Sequence, residues 1–203
     1  MNFDLFSVFV LITALLIISP GPIVTLVIAT GATHGVRAAL TTVAGTSLGN
    51  GVLISAIAFG LSWVLNNSAV LFEILRWAGA AYLVWLGIQA WRSGDGQMAA
   101  PAKPERVHFV RGFWVAIFNP KTIAFFTAFL PQFVDPTLPA EFQLFVMSGV
   151  FVAMAFILDG AWAIAAGLGR AWFIAPSRAK LLARFSGSVL IGGGLWLAFA
   201  RRA

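Results

Sequence analysis

Residues 142–168 read FQLFVMSGVFVAMAFILDGAWAIAAGL, and a single charged side chain, Asp159, interrupts them. At about 1.5 Å of rise per residue, a helix of that length outruns the roughly 30 Å of hydrocarbon in a bilayer. In water such a run would need cover on every side, whereas in lipid it needs none. Outward from it, further apolar runs between polar breaks fall near 5–28, 38–64, 70–91, 112–133 and 182–200. The chain therefore reads as an all-α polytopic membrane protein with about six transmembrane helices, or five if the last run, short and glycine-rich with Arg184 in its first turn, does not span.

Composition agrees. Sixty per cent of the 203 residues are hydrophobic and 10% charged, against about half and a quarter in an ordinary soluble domain. The formal charge of +6 does not suggest a nucleic-acid partner, because the basic residues lie between apolar runs rather than along one face. The absence of cysteine removes disulfides, thiolate metal sites and thiol redox chemistry. The first run carries Asp4 and no Lys or Arg ahead of it, and it continues into Ser19-Pro20-Gly21-Pro22 without a small-residue cleavage site. We expect it to be retained rather than removed as a signal peptide.

The basic residues orient the chain. With the amino terminus outside, Arg37, Arg92, Lys103, Arg106, Arg111, Arg170, Arg178, Lys180 and Arg184 fall inside, and Arg76, Arg201 and Arg202 outside; Lys121 sits within a span and completes the 13. The positive-inside rule then places both termini on the outer side. Residues 93–111, with Gly94, Gly96, Pro101 and Pro104, read as a cytoplasmic linker between two halves, 1–92 and 112–203.

The halves resemble each other. Arg76-Trp77-Ala78-Gly79 parallels Arg184-Phe185-Ser186-Gly187 at an offset of 184 − 76 = 108, and Pro20 parallels Pro120 at 120 − 20 = 100. Three spans per half is odd, so the second copy would enter the membrane upside down, as in the inverted repeats of transporters. Chance similarity between apolar helices is the plain alternative, and the aligned helix breaks argue against it.

The breaks point to chemistry. Proline lacks the N–H that closes the helical ladder, so Pro20 and Pro22 around Gly21, and Asn119-Pro120-Lys121 in the fourth span, free backbone groups at membrane depth. Such groups survive only in protein or beside a watery cavity, and paired breaks are the sequence pointer to a midplane site. Lys121 costs roughly 2.5–3.5 kcal/mol to insert, so it should face the interior, with Asp159 level with it as the counter-charge. The pair could bracket a zwitterion, trade a proton, or be a structural ion pair. Asn50 is a further polar candidate, which could equally join two helices by a hydrogen bond.

Other features read plainly. Trp63, Trp77, Trp85, Trp91, Trp114 and Trp172 suit the membrane interface. His34 in a loop and His108 in the linker read as solvated, and neither supports a metal site.

Four segments carry a family resemblance: Ser19-Pro20-Gly21-Pro22, the glycine-rich 45–51, Gly79-Ala80-Ala81-Tyr82-Leu83 through Leu86-Gly87, and Asn119-Pro120-Lys121 leading to Phe125-Phe126 and Phe129-Leu130-Pro131-Gln132-Phe133. With them the chain resembles the LysE/RhtB family of bacterial amino-acid exporters. The resemblance implies a carrier in the bacterial cytoplasmic (inner) membrane, not an enzyme, needing no cofactor, which exports amino acids or homoserine-like compounds in exchange for protons. Pro20, Gly21, Pro22, Asn119, Pro120 and Lys121 match the family's motifs; Asn50 and Asp159 rest on the burial argument. A neutral substrate is expected, because export of basic amino acids would favour a second buried acid. An ion or metal transporter would need several intramembrane ligands, an intramembrane enzyme would need the missing cysteines or a metal-ligand cluster, and in a scaffold the buried charge and paired breaks would be needless costs. A homo-oligomer built on glycine-lined faces stays open.

Overall fold

The computed structural model describes residues 2–67, 69–92, 105–169, 172 and 176–199. Every regular element among them is helical: α1 (Phe3–Ile18), α2 (Pro22–His34), α3 (Val36–Asn67), α4 (Ala69–Arg92), α5 (Glu105–Ile117), α6 (Pro120–Ala124), a π-helical turn (Phe125–Phe129), a 3-10 turn (Leu130–Phe133), α7 (Ala140–Leu168) and α8 (Pro176–Phe199).

Val36–Gly60, Val107–Phe133 and Ala140–Leu168 are each long and apolar enough to cross a membrane, and α1 with α2, bent by 47° at their junction, makes a fourth candidate. The expected spans 70–91 and 182–200 correspond to α4 and α8, which carry Glu73, Arg76 and Arg92 and, in α8, Arg178, Lys180 and Arg184. These two helices pack along each other.

The distribution of side chains is that of a protein dissolved in lipid. Phe3, Phe59, Phe145, Leu168 and Phe199 are all more than three-quarters exposed, while Thr13, Ser19, Thr42, Thr46, Asn50, Lys121, Gln143 and Asp159 are buried. Water would drive the opposite sorting. Trp77, Trp85, Trp91, Trp114 and Trp172 are also exposed on the outer surface; the Trp63 side chain lies outside the described residues.

Three apolar clusters hold the described residues together, the smallest being Val24, Ile28 and Ala166 between α2 and α7; the other two are more extensive. The larger joins α1, the π turn and α7 through rings: Phe126 meets Phe151 edge-on at 4.7 Å, and Phe9 meets Phe133 at 5.6 Å. The smaller joins α2, α3, α5 and α7 through Ile23, Val27, Ala39, Val43, Ala116 and Ala163. Around it the backbones approach closely. A Cβ on Gly45 would collide with the Phe109 carbonyl, and one on Gly49 would lie 2.5 Å from the carbonyl oxygen of Phe113. The small-residue spacing in α3 therefore lets α5 lie against it.

Two expectations need correction. The linker was expected to run to 111, but α5 begins at Glu105, because Phe109 and Gly112 already pack on α3 despite the charges of Arg106 and Arg111. The remainder, 93–104, lies outside the described residues. For the same reason His108 is not solvated: it is 5% exposed, with its ring 4.9 Å from that of His34.

Candidate functional site

The first helix break is built by its prolines. Ser19 ends α1 with an extended ψ of 125°, and α2 starts at Pro22 with Gly21 as a cap that offers no side chain. In a continuous helix the Ser19 carbonyl would accept the N–H of Ile23; here it is turned free. The Ser19 hydroxyl donates to the Leu16 carbonyl (2.7 Å), which Pro20 cannot satisfy.

The second break is capped by Asn119. Its Oδ1 accepts the Lys121 N–H (3.2 Å) and its Nδ2 donates to Thr122 Oγ1 (2.8 Å), while Pro120 takes the first helical position. That position suits proline, whose missing N–H would have had no partner there. Lys121 thus leaves the start of α6 in a fixed direction.

The two breaks meet through this lysine. Lys121 Nζ donates to the Ser19 carbonyl and to Ser19 Oγ, the latter at 2.7 Å, across 102 residues of sequence. The lysine is 6% exposed. Gly21 makes room for it, since a Cβ there would come 3.0 Å from Lys121 Cδ.

Beside the amine lies a small cavity. Gly21, Asn50, Asn119, Lys121, Thr122 and Asp159 supply its polar side, and Leu16, Ile17, Ile23, Val24, Phe151 and Ala155 the rest. Its lining thus draws on all three apolar clusters. The free space is about 30 Å³, room for about one or two waters.

Of the residues singled out in sequence, Gly21, Asn50, Asn119, Lys121 and Asp159 come together around this cavity, while Pro20, Pro22 and Pro120 stand at the breaks and shape the backbone. Lys121 and Asp159 share the cavity but no direct bond joins them: the amine is committed to Ser19, and Asp159 Oδ1 is buried without a hydrogen-bond partner among the described residues. Ser19 is the residue that sequence reasoning passed over. Its signal was its place immediately before Pro20, where the released carbonyl had to find a donor.

Comparison with known proteins gives a consistent picture. The family model described as "LysE type translocator" matches residues 14–201. The homoserine/homoserine lactone efflux protein of Salmonella typhi is 35% identical over 206 residues, covering 100% of both chains. An uncharacterized membrane protein of Vibrio cholerae is 31% identical over 205 residues, 99% of this chain and 100% of its own. The leucine efflux protein of Klebsiella pneumoniae is 35% identical over 124 residues, 59% of this chain and 58% of its own. No solved structure matches.

Proposed function

Because the chain belongs to the LysE type translocator family, whose members are membrane efflux proteins and not enzymes, we propose that it exports neutral amino acids or homoserine-like compounds by proton antiport. The observation that carries this reading is one cavity, at the meeting of two broken helices, that presents the buried amine of Lys121 and the buried carboxylate of Asp159 from different helices. A zwitterion carries the complementary pair of charges. An ionisable group at membrane depth also has few roles other than binding charge or moving a proton.

In this reading the amine of the substrate lies toward Asp159 and its carboxyl group toward the uncapped start of α2, while Lys121 ties the two breaks together through Ser19. Half-helix N-termini are suited to anionic groups. Protonation of Asp159 from the outer side would release the amine there, and its deprotonation inside would reset the carrier. The two relatives named for homoserine, its lactone and leucine support a small uncharged side chain. We place both termini on the outer face of the cytoplasmic membrane, on the distribution of Lys and Arg between loops, and read 1–92 and 112–203 as inverted halves.

The test is transport by purified protein in proteoliposomes with a panel of labelled amino acids, with and without an imposed pH gradient. Wild type should move homoserine or leucine in response to the gradient. Asp159→Asn should lose at least about 100-fold in rate, as befits loss of the charged partner of the substrate's amine, and Lys121→Met about tenfold, as befits loss of the bond that ties the two breaks together through Ser19, while both insert and purify normally. Undiminished export by both variants would reduce the pair to a structural role.

A further inference from the structure

Among the polar side chains that line the cavity, the donors and acceptors are unevenly used. Asn119 donates to Thr122 Oγ1 and accepts the Lys121 N–H, and Lys121 has committed two of its three Nζ–H bonds to Ser19. By contrast Asn50 Oδ1 and Asp159 Oδ1 are both buried, on residues 1% and 2% exposed, with no hydrogen-bond partner among the described residues. They come from different helices, α3 and α7, and line the same cavity. Buried polar atoms of this kind are rare, and each asks for a missing partner.

Both orphans are acceptors, so the missing partner is a donor. A water could serve one of them. A group that offers several N–H bonds from one atom, and carries positive charge to match Asp159, serves both.

We infer that Asn50 and Asp159 together form a receptor for a primary ammonium group, and that this carrier selects its cargo by the free amine rather than by the carboxylate. The inference rests on the reading of the protein as an amino-acid exporter and deepens it. The donors left for the other end of the cargo include backbone N–H groups in the first turn of α2, where Gly21 offers no cap. Such groups accept an amide or lactone carbonyl as readily as a carboxylate oxygen. Masking the carboxylate should therefore be tolerated. Acylating the amine should not be, because it removes the charge and two donors.

The experiment is counterflow in proteoliposomes of full-length protein loaded with tritiated homoserine or tritiated leucine. Each label is competed by its parent, its amide and its N-acetyl derivative. The amide should compete within about threefold of the parent, and the N-acetyl compound should be at least about tenfold weaker. Asn50→Leu should raise the half-competing concentration of parent and amide alike by about tenfold or more. An N-acetyl compound as effective as its parent, or an amide tenfold weaker, overturns the assignment while leaving amino-acid export standing. Failure of both labels to move on wild type takes the export reading down, and the receptor with it. The competitor series on wild type decides the matter even if the Asn50 variant does not fold.

Discussion

Gly21 adopts a φ of −143° and a ψ of −167°, an extended backbone open to any residue, so its requirement for glycine is one of space. The atom that fills the space is Lys121 Cδ. Normally the far end of a lysine would give way, but this one is held at its tip by two acceptors on Ser19. Gly21→Ala should therefore displace the amine from Ser19 rather than unfold the helix. We expect export to fall by about tenfold, the equivalent of one hydrogen bond to a charged group, with a stability loss under about 1.5 kcal/mol. A variant as active as wild type would show that the grip of Ser19 on the amine is dispensable. Ser19→Ala makes the complementary case: it removes the hydroxyl acceptor but keeps the carbonyl, so its loss of rate should be smaller than that of Gly21→Ala.

Among the elements, the turn before α7 is held by one buried side chain. Gln143 is 1% exposed; its Oε1 accepts the Asp135 N–H at 3.0 Å, and its Nε2 donates to the carbonyls of Asp135 (3.0 Å) and Leu138 (3.2 Å). Leucine fits the volume but leaves these backbone groups unpaired, so Gln143→Leu should lower stability in detergent by about 2 kcal/mol, read as a lowered midpoint of thermal unfolding. Asp135 adds a pH dependence. The Thr137 hydroxyl, and then its N–H, hold the carboxyl below its ordinary range. A depressed folded-state value means stability that is present at neutral pH and lost as pH falls through that value; in Thr137→Val the acid side of the unfolding curve should flatten. The helix breaks were legible in sequence because proline acts through missing atoms of the backbone itself. The early start of α5 was not, because Arg106 and Arg111 look like a linker until α3 supplies a glycine-lined face to pack on. Nor was the π turn after α6 legible. The bond from Lys121 to Ser19 spans 102 residues, and only the packing of two distant breaks reveals it.

At the scale of the molecule, two regions of the bundle are packed by different means. Phenylalanine rings from α1, the π turn and α7 fill one region, and close backbone contacts fill the other, where α2 meets α7 and α3 meets α5. A cargo bound beside Lys121 needs a way out, since the cavity has room for little more than water. Rings stacked on one another must turn and repack to open. The seam of α2 with α7, where Gly31 allows close backbone approach to Gly167 and Val24 and Ile28 of α2 meet Ala166 of α7, has no ring-on-ring stack across it among the described residues and can part as one piece. We therefore expect the seam between α2 and α7 to separate and close in each transport cycle. A Cβ built on Gly31 lies 3.1 Å from the Ala166 Cβ, and slight relaxation reaches the 3.5–4.5 Å of a disulfide. The chain has no cysteine of its own, so Gly31→Cys with Ala166→Cys can form only one intramolecular bridge. Oxidised, this double variant should retain less than about a tenth of its reduced rate of amino-acid export, and thiol reductant should restore it; each single variant should be insensitive to oxidant. The tenfold margin corresponds to about 1.4 kcal/mol, well below the several kcal/mol with which a bridge can hold a seam shut. Full export by completely bridged protein would mean that the seam is static and that the cargo leaves past the phenylalanines instead.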